Sequence, residues 1–257
     1  MPRFTPARAG ALLGILASLG SIYGLAATPA FTYMRAEIPQ LRWTPRDAVE
    51  AAIGIPTGTN LFRLTVEPLA DRISALPGVA DATVVVSLPD TLVVGVTERE
   101  AILAWSVGEA RFLVDRDGVL FAVAEPGAVT VAGLPVIDDA RAASTELALG
   151  RTLNPVDLDA ARRLGSLVPT DVGSVADALL VTVSDANGFV VGTSPASWVA
   201  VFGLYTPSLR TPDLIPGQVR LLRSLLDGRE SGIAEVILAD ADNGTFIPRP
   251  TPKGQPP

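Results

Sequence analysis

The chain has 257 residues, is 48% hydrophobic with a mean hydropathy of +0.39, and carries a formal charge of −7 with a pI of about 4.7. It contains no cysteine and no histidine, and Lys253 is its single lysine. These absences remove disulfides, thiolate and imidazole metal sites, Ser-His-Asp and Cys-His nucleophile systems, the phosphate-loop lysine and Schiff-base chemistry. The acidic balance argues against nucleic acid as a partner, since phosphates need a basic face. The arginines are spread along the chain and read as solvated surface residues.

From Ala9 to Met34 there is no charged residue, and Arg8 and Arg35 bracket the stretch. As a helix it is about 39 Å long, enough to cross a hydrocarbon core of about 30 Å with some tilt. The expectation is a transmembrane helix over residues 9–34 behind a cytoplasmic tail, residues 1–8. A cleaved signal peptide, with Arg3 and Arg8 as its charged start and Thr28-Pro29-Ala30 as its cleavage point, is the weaker reading. The uncharged stretch is long for such a segment and the proline is unfavourable there. Long domains translocate largely regardless of flanking charge, so the expected topology is N-terminus inside and bulk outside.

Met34 to Ile38 reads as a short strand. Thr44-Pro45 reads as a helix start, Thr44 as cap and Pro45 as first helical residue, with Ala48, Val49, Ala52 and Ile53 as its apolar face and Gly54 as its end. After the turn residues Gly58-Thr59-Asn60, Val66, Leu69, Ala70, Ile73 and Leu76 line one face of a second helix, stopped by Pro77-Gly78. Val79 to Leu88 is a β-branched run with apolar even positions. Pro89-Asp90 turns it, and Thr91 to Thr97 runs back as a second strand. The order over residues 35–100 is β-α-α-β-β. Glu98-Arg99-Glu100 at the strand end reads as a solvated charge run.

Beyond it, 101–107, 110–114 and 119–124 read as short strands, with Asp115-Arg116-Asp117-Gly118 as a plain β-turn rather than a calcium loop, whose other ligands are missing. Asn154-Pro155 opens a helix with Val156, Leu158, Ala161, Leu164 and Leu167 inside. Leu179–Ser184 and Gly188–Gly192 form a hairpin around Asp185-Ala186-Asn187. Gln218 to Leu226 is an amphipathic helix burying Val219, Leu222, Leu225 and Leu226. Ile233–Ala239 and Thr245–Ile247 are the last strands. Asn243-Gly244-Thr245 matches a glycosylation sequon but reads as their turn. Residues 248–257 are a Pro-rich tail expected to stay extended or disordered. The fold class is α+β: a transmembrane helix, a β-α-α-β-β domain over 35–100, and a β-rich domain over 101–247 with a mixed or antiparallel sheet and flanking helices.

Several stretches resemble one family. Gly58-x-Asn60-Leu61-Phe62, Leu76-Pro77-Gly78-Val79-Ala80-x-Ala82-x-Val84, Leu88-Pro89-Asp90-Thr91-Leu92-x-Val94-x-Val96-x-Glu98-Arg99 and Trp105 resemble the POTRA domain of FtsQ/DivIB cell-division proteins. Leu113-Val114-Asp115-x-Asp117-Gly118-x-x-Phe121 resembles the entry into that family's β-rich domain, and Leu134-Pro135-Val136 its Leu-Pro-Val segment. The resemblance implies a bitopic divisome scaffold at the septum of the cytoplasmic membrane. Such a protein links early and late division proteins and helps control septal peptidoglycan synthesis.

The residues themselves offer no active site. Asp115 and Asp117 are the least poor candidates for a membrane-anchored two-carboxylate hydrolase. Gly192-Thr193-Ser194-Pro195 lacks the second glycine of a nucleophile elbow, and Trp105 and Trp198 read as packing residues. No enzyme activity, catalytic residue, metal or cofactor is expected. An open sheet edge at Gly244–Ile247 offers unpaired N–H and C=O groups to a partner strand. By resemblance, the terminal strands receive FtsB/FtsL-like proteins, with Glu235, Val236, Leu238, Thr245, Phe246 and Ile247 as contact residues, while the POTRA domain and membrane segment reach other divisome proteins. Thr245→Pro is the expected way to spoil the edge. The alternative function is an exported, membrane-anchored ligand-binding or sensor module.

Overall fold

The computed structural model describes residues 6–27, 29–125 and 133–250. The expected start of the cytoplasmic tail, Thr28 of the rejected cleavage point, and the end of the Pro-rich tail lie outside the described residues. The chain divides into two compact units, Met1–Arg99 and Glu100–Pro257.

The first unit opens with helix α1, Pro6–Ala27. Leu12, Leu13, Ile15, Leu16, Leu19 and Tyr23 on it are all exposed. Among the described residues, no helix is long and apolar enough to cross a membrane. A three-stranded sheet follows, β1 (Arg35–Glu37), β2 (Val79–Ser87) and β3 (Thr91–Glu98), in the order β1-β3-β2. β3 runs antiparallel to β2 and parallel to β1. Helices α2 (Arg46–Ile53) and α3 (Glu67–Ser74) connect β1 to β2. Their stripes, Val49 and Ile53 with Leu69 and Ile73, join Ala82, Val84, Leu92 and Val94 of the sheet in one core. The alternation read from Val79–Leu88 therefore sets the buried face. Arg72 of α3 donates to the carbonyls of Ala52 (2.7 Å) and Ile53 (2.6 Å) at the end of α2. There a guanidinium satisfies orphan acceptors and the dipole's negative end.

Two expectations fail at one place. The N-cap of α2 is Pro45, with no side-chain cap bond. Thr44 instead donates its N–H to Glu98, 2.8 Å away, as do Trp43 (2.7 Å) and Arg42 (2.6 Å). Glu98 is thus not a solvated end of a charge run but the acceptor that pins the α2 approach to the end of β3. Partial desolvation pushes its carboxyl up, and the three backbone donors outweigh that and hold it below its ordinary value. Because the folded value is the lower one, the stabilisation is complete above the ordinary glutamate range and is lost as pH falls through the folded value. We expect Glu98→Gln to cost about 1–2 kcal/mol at neutral pH. Melting curves of wild type and variant should converge as the pH falls through that lowered folded value.

The second unit is one nine-stranded mixed sheet. Its strands are β4 (Leu103–Val107), β5 (Ala110–Val114), β6 (Leu120–Val123), β7 (Val136–Asp139), β8 (Ala178–Ser184), β9 (Gly188–Ser194), β10 (Val199–Gly203), β11 (Ile233–Leu238) and β12 (Gly244–Pro248). The order is β12-β11-β10-β9-β8-β7-β4-β5-β6. β7 joins β8 in parallel across α4 (Pro155–Gly165), and β10 joins β11 in parallel across α5 (Ile215–Leu226). Asn154 caps α4, its Oδ1 accepting from Val156 N–H at 2.9 Å. Leu158, Ala161 and Leu164 of α4 and Leu222 and Leu226 of α5 share a core with Trp105, Ile137, Val191, Phe202 and Val236.

The acidic turn after β5 is a plain turn. Asp115 Oδ1 accepts from the N–H groups of Asp117 (3.0 Å) and Val119 (2.8 Å), with Gly118 at φ +84°. Not every arginine is a surface residue. Arg141 is clamped between Asp139 and Asp157, 2.8 Å from each. Asp139 also accepts from Trp105 Nε1 (3.0 Å) and Ser144 Oγ (2.5 Å). Burial opposes charge on Asp139, but these donors outweigh it and hold the carboxyl below its usual range. A buried network of this kind ties β4, β7 and α4 into one arrangement. Asp139→Ala would leave Arg141 with Asp157 alone and the Trp105 N–H without its acceptor, so an expected loss of about 1–3 kcal/mol should appear as a lower melting temperature.

Candidate functional site

β12 closes one edge of the large sheet, and all five of its residues are exposed. It pairs antiparallel with β11, Glu235 opposite Ile247, Val236 opposite Phe246 and Ile237 opposite Thr245. The strand is held at both ends. At its start, Asp240 accepts from the N–H groups of Asp242 (2.8 Å) and Asn243 (2.7 Å) and from the Asn243 amide. The tip of this turn rests on α5, where a Cβ built on Gly217 would lie 2.3 Å from the Cβ of Ala241. Gly217 is glycine because the hairpin approaches too closely for a side chain. At the far end, Arg249 donates to the carbonyls of Ser197 (2.6 Å) and Ile233 (3.2 Å), and its N–H to Gly232 (2.8 Å). The expected tail at 248–257 therefore begins too early: Pro248 ends the strand and Arg249 anchors it.

A buried polar group supports the edge from behind. Gln218, fully buried on α5, donates to the carbonyls of Phe202 (3.3 Å) and Leu238 (3.2 Å) and accepts from the Tyr205 hydroxyl (2.8 Å). Arg210 donates to the same two carbonyls, at 2.6 and 2.8 Å, and to that of Ala239. Together they satisfy the chain ends of β10 and β11 behind the hairpin. Burial pushes the Tyr205 phenol up, with the Arg210 charge opposing. The α5 stripe departs from expectation here: Gln218 is buried, while Val219 and Leu225 are only partly so. Neither Arg210 nor Gln218 carried a sequence signal, because a polar residue on an amphipathic helix reads as exposed.

The expected contact residues divide into three kinds. Val236 and Leu238, 0% and 2% exposed, belong to the core, and β11 is paired on both sides. Glu235 is half-buried and shares a sheet face with Ile247 and Thr245, which are exposed. Phe246, 41% exposed, lies across from Val236 on the helix-covered side.

The main chain of β12 decides where a partner strand could pair. Ala239 N–H donates to Asn243 C=O at 2.9 Å, so residues 239 and 243 form a hydrogen-bonded pair. Alternation along an antiparallel ladder makes 237/245 and 235/247 the next such pairs. Thr245 and Ile247 therefore turn their main-chain groups toward β11. Gly244 and Phe246 turn theirs outward. The expectation for Thr245→Pro is corrected accordingly: it would break the inner ladder, and the outward donors are the N–H groups of Gly244 and Phe246.

The tryptophans and the Gly192-Thr193-Ser194 stretch are structural. Trp105 and Trp198 are buried, and Trp198 Nε1 donates to Glu230 at 2.8 Å. Thr193 Oγ1 accepts from the Ser197 N–H at 2.7 Å. Among the described residues, no group of three or more acidic side chains could hold a metal ion.

A two-helix, three-stranded module ahead of a large mixed sheet with an open terminal edge defines a POTRA-bearing protein. Residues 37–99 match the family described as POTRA domain, FtsQ-type. The chain is 32% identical over 184 residues to the cell division protein FtsQ of Mycobacteroides abscessus, covering 71% of this chain and 57% of that one. It is 28% identical over 187 residues to the FtsQ of Mycolicibacterium smegmatis, covering 71% and 53%. With the FtsQ of Syntrophotalea carbinolica the identity is 27% over 249 residues, covering 91% and 86%. The chain belongs to the FtsQ family. It spans just over half the length of the two mycobacterial relatives.

Proposed function

We propose that this chain is a non-catalytic, single-pass scaffold of the bacterial division machinery, acting at the septum. In this reading α1 anchors it in the cytoplasmic membrane and both folded units lie outside the cytoplasm. The outward edge of β12 takes a strand from an FtsB/FtsL-like partner, and the protein so links early and late division proteins and influences septal peptidoglycan synthesis. The observation that carries this is β12 itself, an edge strand clamped at both ends whose outer N–H and C=O groups face no neighbouring strand among the described residues. Relatives named as cell division proteins support the setting. The anchor is supported by the absence of charge over the whole stretch from Ala9 to Met34 in the sequence. Domain limits at 9–34, 35–100 and 101–247 go with this reading.

The test is co-purification of FtsB/FtsL-like proteins with the detergent-extracted chain, which should be stoichiometric; a chain that brings down neither ends the proposal. For topology, an enzymatic reporter fused after Gln255 is expected to be active only outside the cytoplasm, and a mature N-terminus at Phe31 would show a cleaved signal instead of an anchor.

A further inference from the structure

The last part of the uncharged stretch does not belong to α1. The helix ends at Ala27, and residues 32–34 are hydrogen-bonded to the body of the first unit. Tyr33 N–H donates to Thr59 C=O and Gly58 N–H to Tyr33 C=O, both at 2.8 Å, while Met34 N–H donates to Asp90 C=O at 2.9 Å. Thr32 also bridges to Asn60. One end of the unit is therefore built from segments far apart in sequence: residues 29–35, the loop 58–64 and the β2–β3 turn at 88–91.

This end turns apolar side chains outward. Asn60 Oδ1 accepts from Phe62 N–H at 2.9 Å and opens a short 3-10 turn, Leu61–Arg63, in which Leu61 is buried and Phe62 is 52% exposed. The Phe62 ring meets that of Phe31 edge to face, with centroids 5.2 Å apart. Met34 and Leu88 are 59% and 50% exposed. An aromatic pair of this geometry carries a large apolar area and is ordinarily found in a core or an interface. Charge in the three segments is limited to Arg35, Arg63 and Asp90, and Arg35 reaches Asp90 at 3.7 Å. In a chain of charge −7, this is an end where arginines outnumber carboxylates.

Chain continuity says what covers it. Phe31 follows Ala27 by four residues, so it stands no more than about 14 Å from the end of α1. We propose that this end of the first unit docks on the lipid bilayer that holds α1, with Phe62, Met34 and Leu88 entering the interface and Arg63 among the phosphates. The proposal rests on α1 as the membrane anchor. Aromatic and aliphatic side chains flanked by arginine suit a membrane interface, where binding grows with the apolar area buried. Arginine lays its stem along apolar surface and keeps its guanidinium in the polar layer. Tethering over so short a span sets a high effective concentration, so even a small apolar contact is occupied. The unit then lies against the membrane instead of swinging from it, and strand addition at β12 plays no part.

The chain has no cysteine, so a single introduced one carries a fluorophore at a chosen place. The full chain is reconstituted in vesicles of phosphatidylcholine and phosphatidylglycerol, with and without lipid bearing a nitroxide quencher high on its acyl chain. Labels on Met34→Cys and Leu88→Cys should be quenched at least threefold more strongly than one on Asp81→Cys, an exposed site about 23 Å along β2 from Leu88. A label on Leu16→Cys reports α1 itself. Quenching at Leu16→Cys, with Met34→Cys and Leu88→Cys no different from Asp81→Cys, overturns the proposal and leaves the anchor standing. Absence of quenching at Leu16→Cys overturns both. Nearness to α1 would by itself bring some lipid to the Leu88 position, so that label is also placed in Phe62→Asp, which should cut its quenching at least threefold. Unchanged quenching in Phe62→Asp overturns the proposal, and Phe62→Ser decides the matter if Phe62→Asp lowers the melting temperature. Shielding of the labels that is lost when the protein is diluted in lipid also overturns it, by giving the face to a second copy.

Discussion

Ile73→Asp is expected to unfold the first unit. Ile73 is fully buried on α3, within the core that also holds Val49, Leu69, Val84 and Leu92. A carboxylate there loses the apolar contact and must either be desolvated without a partner or draw water into the core, a cost of about 4 kcal/mol or more. A unit of this size has only a few kcal/mol of stability to lose. Asp71 lies on the exposed side of the same helix, so Asp71→Ala should change stability by less than about 0.5 kcal/mol. Thermal melts of the two variants separate the cases. Equal shifts would mean that the α3 stripe does not face the sheet.

That contrast follows from periodicity alone, and the first unit is where periodicity served best. Ile73 and Leu69 repeat at helical spacing, Ala82 and Val84 alternate, and Pro77-Gly78 punctuates between them, so each local preference agrees with the global arrangement. Glu98 was illegible because its partners are backbone N–H groups more than fifty residues earlier, and no local pattern announces a side chain that reaches backbone across a sheet. In the second unit β10 went unrecognised, although Val199-Ala200-Val201-Phe202 ahead of Gly203 is a short apolar run of the kind buried strands show. Its place between β9 and β11 arises from a parallel crossover through α5, which sequence order does not display. Arg141 and Asp139 illustrate the same limit. An arginine reads as solvated until tertiary structure sets two carboxylates beside it. The terminal edge was legible as a strand after an Asn-Gly turn, but not which of its N–H groups face out, since that depends on pairing with β11.

That pairing also decides the experiment at the edge. On the proposed function, Phe246→Pro should abolish co-purification of FtsB/FtsL-like proteins while leaving the fold nearly intact. The Phe246 N–H points away from β11, so proline removes a donor that the sheet itself does not use, and edge strands accept proline at such positions. The Asp240 turn and the Arg249 contacts keep the strand in place on either side. Phe246→Ala retains the N–H and removes only the side chain, which is partly exposed beside the Val236 position. It should weaken binding by about 1–3 kcal/mol if the ring is an anchor. Comparing the two variants separates main-chain pairing from side-chain contact. Thr245→Pro, by contrast, should lower the melting temperature, because its N–H belongs to the inner ladder, and loss of partner there would carry no information about the edge. Truncation after Pro250 preserves Arg249 and should leave recruitment unchanged. If Phe246→Pro melts like the wild type and still recruits its partners in full, strand addition at β12 is wrong, and the exposed side of α3 at Glu67, Pro68 and Asp71 becomes the next surface to substitute.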